Sequence, residues 1–466
     1  MQHLTKANRK IDMTDGPIMN KILLFALPIV IGNILQYLYT TVDTLVIGNY
    51  CGSTSLAAVG TSAQPVEVLI CIFLGIGTGV SIITAQYVGA GDKERIKSVT
   101  RTAVSFVFVC GIVVIISGWL YAPYILRAMG VPEDTYGAAL AYTRFVFLGA
   151  LGNIGYNMNA GILRGLGDSR ASLLFLVIAA ATNITLDITL VAGAGMDVRG
   201  AAIATAAAMY VSWISSIIYI RKRFPELEFS FLPERFAKED LKKIIGMGLP
   251  IGINNSLFSF GHVALQTMIN SQGSTFMAGC AVAGRITGLS NIAITGMSSA
   301  TMTFAGQNYG AKNYQRIRKG HLRIPFASGM ITLAFGLVFI MIRMPILSIF
   351  TKDELVLMYA SRYVCVLLLS QWIYAFFDGN SCIIQGTGRV RYCLVINLMM
   401  LWAVRIPAAY MIMKYYDGTW VMLGFPISFT FGLLCTLGYY IFAKPWRELM
   451  RKAKDEGDVL PAGKGI

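Results

Sequence analysis

The sequence predicts an all-α polytopic membrane protein whose twelve transmembrane helices form two pseudo-symmetric six-helix bundles. Its 466 residues include 55% apolar and only 14% charged side chains, and the mean hydropathy is +0.62, whereas a soluble domain carries about 25% charged residues. Apolar runs of about 20 residues, long enough to cross a ~30 Å hydrocarbon core, recur along nearly the whole chain. Motifs of the first half also return in the second half at an almost constant spacing. These observations exclude a soluble enzyme, a disordered chain and a small disulfide-stabilised scaffold.

Twelve apolar spans follow one another along the chain, separated by polar or glycine-containing loops. They lie near residues 20–44, 55–80, 99–122, 138–160, 170–194, 199–220, 244–268, 276–303, 323–346, 356–379, 391–414 and 418–442. Between the sixth and seventh spans the chain is charged and interrupted by Pro225 and Pro233, which predicts a cytoplasmic linker. The predicted divisions are a cytoplasmic N-terminal segment, an N-lobe, this linker, a C-lobe and a cytoplasmic tail, at residues 1–19, 20–220, 221–243, 244–442 and 443–466.

The formal net charge of +15 is explained by membrane topology rather than by binding of nucleic acid. Most of the 39 Lys and Arg residues fall in the N-terminal segment, the linker, the loops that follow even-numbered spans and the C-terminal tail. The opposite loops hold few, namely Arg127, Arg199, Arg343, Lys352 and Lys414. By the positive-inside rule both termini are therefore cytoplasmic, and contact with anionic lipid is a by-product. The polar segment that precedes Ile18 contains no apolar stretch typical of a signal peptide.

Two loop segments of the first half are repeated in the second half at one constant offset. AQYVGAGDKERIKS at 85–98 returns as GQNYGAKNYQRIRK at 306–319, and GILRGLGDSR at 161–170 returns as CIIQGTGRVR at 382–391. Because each half holds an even number of spans, the halves share one orientation and form parallel repeats. Transporters built from repeats bind substrate at the repeat interface and rock one half against the other.

The loops QYVGAGD after span two and LRGLGD after span four, together with Pro28 in span one and Pro250 in span seven, resemble the multidrug and toxic compound extrusion (MATE) transporters, in particular their DinF-like branch. The similarity covers nearly the whole chain. It implies a V-shaped, two-lobe antiporter of the plasma membrane that exports amphipathic cationic or neutral drugs and toxins in exchange for H⁺ or Na⁺. Lipid-linked oligosaccharide flippases share this architecture and are the alternative. We expect a monomer that needs no cofactor beyond the coupling ion.

Four acidic residues fall within the spans, namely Asp43, Glu67, Asp187 and Asp378. A carboxylate in hydrocarbon is costly unless it is protonated, paired or hydrated, so each of the four is a functional candidate. Glu67 has two interpretations, an ion pair with Arg285 and a local hydrogen bond. We expect Asp378 to line the lumen, because the second half has no counterpart of the polar residues that accompany Asp43 and Asp187.

Depth along the helices predicts a polar cluster in the outer half of the N-lobe. Asn183 and Asp187 are four residues apart on span five and share a helix face, and Thr205 on span six lies at a similar depth. The oxygens of such a cluster can replace the hydration shell of a monovalent cation, and two buried carboxylates can instead share a proton. In the branch that the sequence resembles, the coupling site consists of an Asp on span one, Asn and Asp on span five and Thr on span six, which matches Asp43, Asn183, Asp187 and Thr205. The proline that usually follows the span-five Asp is replaced here by Ile188, so the resemblance does not imply a bend at this point.

A substrate cavity for varied ligands would combine amide, aromatic and flexible apolar side chains, since Met repacks and aromatic faces attract cations. Candidates for its lining are Gln36, Tyr39, Asn153, Asn157, Met209, Asn255, His262 and Asp378. Arg405 is expected on the lumen side with carbonyl or hydroxyl partners.

Enzymatic and metal-binding interpretations find little support in the sequence. GLGD at 165–168 matches the GxGD string of intramembrane aspartyl proteases, but Asp168 lies at the predicted cytoplasmic boundary beside Arg164 and Arg170, and its glycines suit a turn or a helix cap. GIGTGV at 75–80 lies within a span, lacks the third Gly of a dinucleotide fingerprint and predicts close helix packing. Three His and eight Cys without ligand spacing predict neither a metal site nor a disulfide.

Overall fold

The computed structural model describes residues 10–442 apart from residues 231 and 235, and between residues 53 and 69 it leaves out some side chains, among them that of Glu67. The described chain consists of helices and their connections and contains no strand. The α-helices are α1 (Ile18–Tyr50), α2 (Gly52–Ala90), α3 (Lys93–Ala128), α4 (Glu133–Leu148), α5 (Ala150–Gly165), α6 (Ser169–Asp187), α7 (Asp197–Arg223), α8 (Lys238–Asn270), α9 (Ser274–Gly310), α10 (Tyr314–Met341), α11 (Arg343–Phe350), α12 (Glu354–Gly386), α13 (Val390–Leu398), α14 (Ile406–Tyr415) and α15 (Gly424–Phe442). The predicted tail, 443–466, and residues 1–9 of the predicted N-terminal segment lie outside the described residues.

The predicted transmembrane spans correspond to the long helices. Among the described residues, ten helices are long and apolar enough to cross a membrane, and the bent pair α4–α5, with an angle of 43°, makes an eleventh. The seventh predicted span corresponds to α8, whose 33 residues extend about 50 Å at 1.5 Å per residue. α8 carries the polar side chains Asn254, Asn255, His262 and Gln266. The all-α architecture with twelve spans is confirmed.

Two spans are interrupted by π-helical turns. α6 continues directly into the π-helix Ile188–Gly193, so this span leaves the regular α-helix right after Asp187 although no proline follows. α13 continues through the π-helix Met399–Arg405 into α14, where Pro407 lacks the N–H that would donate to the preceding turn. Since π-helical turns are rare and occur frequently at functional sites, Asp187 and Arg405 become the residues of interest.

The chain divides into two compact units. The first comprises the described residues before Asp12 together with Leu27–Ser256, and the second comprises Asp12–Ala26 and the described residues from Leu257 on. The apolar core of the first unit is formed mainly by α2, α3, α5 and α7, and that of the second by α9, α12 and α15. The division therefore falls within α1 and α8, whereas the sequence analysis placed it in the linker.

The first half of α8 belongs to the first unit because glycines let it pack closely on α2. A Cβ added at Gly75 would lie 2.3 Å from the Cα of Gly252, and one at Gly79 would lie 2.6 Å from the Cα of Gly248. Real Cβ atoms do not approach other atoms so closely, so only glycine permits this contact. The predicted role of the GIGTGV segment in close helix packing is confirmed.

The repeated loops adopt the same backbone conformation in both halves. Gly167 and its counterpart Gly388 have φ values of 90° and 92°, and Gly91 and its counterpart Lys312 have φ values of 71° and 54°. All four lie in the left-handed region, which costs an L-residue about 1–2 kcal/mol. The repeat seen in the sequence is therefore also a repeat of turn geometry.

Asp168 caps the start of α6, a role that the sequence had suggested only for the neighbouring glycines. Its carboxylate accepts hydrogen bonds from the backbone N–H of Ala171 at 3.1 Å and from the hydroxyl of Tyr219 at 2.7 Å. The residue is only 1% exposed, and each of its two carboxylate oxygens accepts one of these hydrogen bonds. The position thus stabilises the start of α6.

The linker is fastened to the start of α3 within the first unit. The Glu228 carboxylate contacts the Lys97 ammonium at 3.0 Å and the Arg101 guanidinium at 2.7 Å, and Arg101 also contacts Glu234 at 3.3 Å. The hydrogen bond and the charge of Lys97, followed by those of Arg101, lower the pKa of Glu228. Acidic side chains of the linker are therefore docked on basic side chains of a neighbouring helix.

The residues from Asp12 to the start of α1 belong to the second unit and do not form a free tail. Met13 is 0% exposed, and its N–H donates to Oε1 of Gln307 at 2.9 Å. Its carbonyl accepts from Nδ2 of Asn308 at 2.9 Å and from Nε of Arg316 at 3.0 Å. These three partners lie in or next to the repeated loop that follows α9, and nothing in the composition of the segment predicted this contact.

Candidate functional site

The polar cluster predicted in the N-lobe forms in the first unit. α1 supplies Asp43, α6 supplies Asn183 and Asp187 from adjacent turns of one face, and α7 supplies Thr205. The Asp43 and Asp187 carboxyl groups are close enough to share a hydrogen bond, and Nδ2 of Asn183 lies 3.5 Å from the Thr205 hydroxyl. Asp187 is 0% exposed and Asn183 is 2% exposed. The structure therefore brings all four predicted residues together.

Four oxygens of this cluster are buried and receive no hydrogen bond from the described residues. They are Oδ1 of Asp43, both carboxylate oxygens of Asp187 and Oδ1 of Asn183. Buried acceptors are nearly always hydrogen-bonded, and leaving one unpaired costs about 1–3 kcal/mol. A proton placed between the carboxylates, or a cation coordinated by the oxygens, would satisfy them. The donor set, with carboxylate, amide and hydroxyl oxygens, is one that suits a hard cation.

Two tyrosines adjoin the carboxylates, and the sequence analysis identified only one of them. Tyr39 on α1 lies within electrostatic range of Asp43 and interacts with Gln36. Tyr142 on α4 lies within electrostatic range of both Asp43 and Asp187 and is 8% exposed. Since Tyr142 lies in electrostatic range of both carboxylates and comes from a third helix, it joins the candidate site.

The candidate cavity residues of α5 and α7 lie in an apolar part of the first unit. Asn153 and Met209 border a cavity of about 20 Å³ whose other walls are apolar, which is room for about one water molecule. Asn157 donates to the side-chain and backbone oxygens of Asn153 at 3.0 and 2.9 Å. These residues are adjacent, but the space between them is too small for a drug-sized ligand in this conformation.

A larger cavity, of about 460 Å³, lies in the second unit. His262, Asp378 and Arg405 line it, together with Asn291 and Gln371, whereas Asn255 belongs to the first unit. Asp378 lies in the wall of this cavity, and its part in substrate binding stays a prediction. Ligand pockets typically measure about 300–1,000 Å³, so this space can accommodate a small molecule.

Asp378 and Arg405 have different partners within that cavity. The Asp378 carboxylate accepts hydrogen bonds from the Ser298 hydroxyl and, at 3.7 Å, from the Cys382 thiol. Nε of Arg405 donates to the Ser428 hydroxyl at 3.0 Å. Arg405 therefore has the hydroxyl partner that the sequence analysis expected.

Other predictions concern cysteines, metals and Glu67. All eight cysteines are free, and within residues 10–442, as far as they are described, no three His, Cys, Asp or Glu side chains form a metal-binding group. Arg285 is exposed on α9. The Glu67 side chain lies outside the described part of the chain, so its pairing stays a prediction.

Comparison with known proteins shows which family and which relatives the chain resembles. The MatE family model matches residues 28–189 and 250–411, two stretches of equal length, one in each half, as the internal repeat requires. The probable multidrug resistance protein YoeA of Bacillus subtilis strain 168 is 30% identical over 446 residues, which are 92% of this chain and 94% of that protein. The FAD transporter of Shewanella oneidensis is 25% identical, over 92% of this chain and 95% of that protein.

Solved structures agree on the fold. An outward-facing structure of a multidrug resistance MATE family transporter of the MOP superfamily superposes with a TM-score of 0.87, at 24% identity, over 95% of this chain and 99% of that chain. The helical repeats and the intramembrane polar cluster define a multi-pass membrane transporter of small molecules. The chain belongs to the MATE family of multidrug efflux transporters.

Proposed function

We propose that this transporter is a secondary active antiporter that exports amphipathic cationic or neutral molecules in exchange for H⁺ or Na⁺, in the manner of the DinF-like branch. The observation that carries the proposal is the group of four buried acceptor oxygens on Asp43, Asp187 and Asn183 that lack hydrogen-bond donors. Two facing carboxylates repel each other unless a proton or cation lies between them. The cluster is therefore suited to bind one of these ions.

Ion binding would act on transport through α1. With the ion absent, repulsion between Asp43 and Asp187 favours separation of α1 from α6, and with the ion bound the two helices are drawn together. The π-helical turn that begins right after Asp187 gives this part of the span a less regular hydrogen-bond pattern than an α-helix. Such a contact has two states, one with the ion and one without it. The inward movement of the ion can therefore drive the outward movement of the cargo.

The cargo and the cellular setting are also proposals. The name of the probable multidrug resistance protein YoeA, a relative of this chain, points to drugs as the cargo. The distribution of Lys and Arg supports an orientation with both termini in the cytoplasm, and we expect the protein to act in the plasma membrane as a monomer without a cofactor. A flippase for lipid-linked saccharides remains the alternative.

The test is efflux from proteoliposomes that contain the purified protein. A panel of fluorescent dyes with cationic, neutral and anionic members is loaded, and a Na⁺ gradient and a pH gradient are imposed separately. We expect one gradient to drive efflux of the cationic or neutral dyes, with liposomes lacking a gradient as the control. Absence of efflux under both gradients would contradict the proposal, and movement of a fluorescent lipid-linked saccharide instead would favour the flippase.

A further inference from the structure

The large cavity of the second unit contains a buried guanidinium that no acid among the described residues neutralises. We propose that Arg405 binds the carboxylate group of an aromatic organic anion, which makes this cavity a cargo subsite separate from the ion-coupling cluster. The inference rests on the proposed function, and it extends the cargo from the cationic and neutral molecules proposed above to aromatic anions. It is drawn from the surroundings of Arg405 alone.

Arg405 is fixed in place within the cavity wall. The residue is 2% exposed, and it ends the π-helix Met399–Arg405. Its guanidinium carbon lies 4.5 Å from the ring centre of Phe425, 5.2 Å from that of Phe429 and 5.8 Å from that of Phe258. The Nε hydrogen bond to Ser428 orients the group, so its plane is set before any ligand arrives.

No carboxylate compensates this charge. Among the described residues no Asp or Glu oxygen lies within ion-pair distance of Arg405. The acid of the same cavity, Asp378, is occupied by Ser298 and Cys382. Burying an unpaired charge is expensive, and contact with aromatic faces offsets only part of the cost. The two terminal amino groups, for which the described side chains supply no acceptor, are thus available to a ligand.

The geometry favours one kind of anion. A guanidinium offers two parallel N–H groups that match the two oxygens of a carboxylate. The same wall presents the rings of Phe258, Phe425 and Phe429, against which an aromatic body can stack. A doubly charged phosphate would need a second cation, whereas the other charged group in the wall, Asp378, would repel it. The volume of about 460 Å³ accommodates a carboxylate with a fused aromatic ring system.

The inference is tested by calorimetric titration of the purified full-length protein with 2-naphthoate and with neutral 2-naphthamide. Wild-type protein should bind 2-naphthoate at least tenfold more tightly than 2-naphthamide. This ratio corresponds to a difference in binding free energy of about 1.4 kcal/mol. Arg405→Met should remove this preference. Arg405→Lys should keep only part of it, because an ammonium carries the charge but lacks the two parallel N–H groups of a guanidinium. Asp378→Asn should tighten binding of 2-naphthoate, since a repelling charge is removed.

The matched control is Arg362→Met. The Arg362 guanidinium also stacks on an aromatic ring, that of Trp420 at 5.2 Å, but it lies outside the cavity wall, so 2-naphthoate should bind this variant like the wild type. Equal affinity of the wild type for both probes, or undiminished binding of 2-naphthoate by Arg405→Met, would overturn the inference. If Arg405→Met fails to fold, the probe comparison on the wild type and Asp378→Asn decides.

Failure of the proposed function would look different. Asp187→Asn alters the coupling cluster and should bind 2-naphthoate with unchanged affinity. Arg405-dependent binding without efflux under either gradient would contradict antiport and leave the subsite standing. Efflux of cationic dyes together with equal binding of both probes would contradict the subsite and leave antiport standing.

Discussion

At the scale of single residues, the scarcity of acids in apolar segments pointed to the candidate coupling cluster. Asp43 and Asp187 stand out on that basis, and helical periodicity adds Asn183. Tyr142 carries no comparable signal, because the chain has 22 tyrosines and only the packing of α4 brings this one near the carboxylates. The sequence also could not predict which aromatic rings surround Arg405, because these rings come from two other helices, α8 and α15.

Replacement of Thr205 by valine tests its role as an ion ligand. In Na⁺-driven efflux, Thr205→Val should raise the Na⁺ concentration for half-maximal activity by about tenfold, because it removes one neutral oxygen. Thr189→Val is the matched control, since the Thr189 hydroxyl bonds only to carbonyls of its own helix, at 2.9 and 3.1 Å. An unchanged Na⁺ dependence in Thr205→Val would remove this residue from the site.

At the scale of elements, the loop motifs predicted the turn geometry, whereas contacts between distant segments of the chain were not predicted. Repeated glycine strings predicted tight turns, and the left-handed φ values of Gly167 and Gly388 show why glycine stands there. The burial of Met13 depends on Gln307, which lies in the other half of the chain, so the local sequence could not reveal it. The π-helical turn after Asp187 was also missed, because the expected proline was absent.

The turn after α2 offers a test of backbone strain without side-chain clashes. Gly91→Ala should destabilise the protein by about 1 kcal/mol, since alanine is strained at positive φ and nothing lies within 4 Å of an added Cβ. Gly246→Ala also meets open space but lies within α8, where alanine is the better helix former. The midpoints of thermal unfolding in detergent should therefore shift in opposite directions. Shifts of the same sign would exclude backbone conformation as the cause.

Docking of the linker on α3 should depend on Arg101 and on pH. Arg101→Gln removes contacts to Glu228 and Glu234 and should speed proteolysis between α7 and α8. The control is Arg127→Gln, which changes an exposed arginine in the last turn of α3 and should leave the rate of proteolysis unchanged. Because the folded pKa of Glu228 is lowered from 4.5, its stabilising effect is present above that value and is lost as the pH falls through the folded pKa. Limited proteolysis with an acid-active protease at decreasing pH measures this loss. Protection that is independent of both pH and Arg101 would contradict it.

At the scale of the whole molecule, the sequence revealed the duplication more clearly than the boundary between the units. The constant offset of the repeated loops and the even number of spans predicted two parallel halves, and the family model matches the chain twice, once in each half. The division falls within α8 and not in the linker, because the contact of Gly248 and Gly252 with α2 is a tertiary feature. Charge and proline content mark a linker, but they do not report where packing changes.

The central claim is that the Asp43–Asp187 pair couples ion movement to export. Gradient-driven dye efflux from proteoliposomes of Asp187→Asn, compared with Asp378→Asn, measures this most directly, since both variants neutralise an intramembrane acid in different units. The account predicts that Asp187→Asn, like Asp43→Asn, loses gradient-driven efflux while remaining folded, and that Asp378→Asn keeps most of it. Full efflux by Asp187→Asn, together with loss in Asp378→Asn, would contradict the account and move coupling to the second unit.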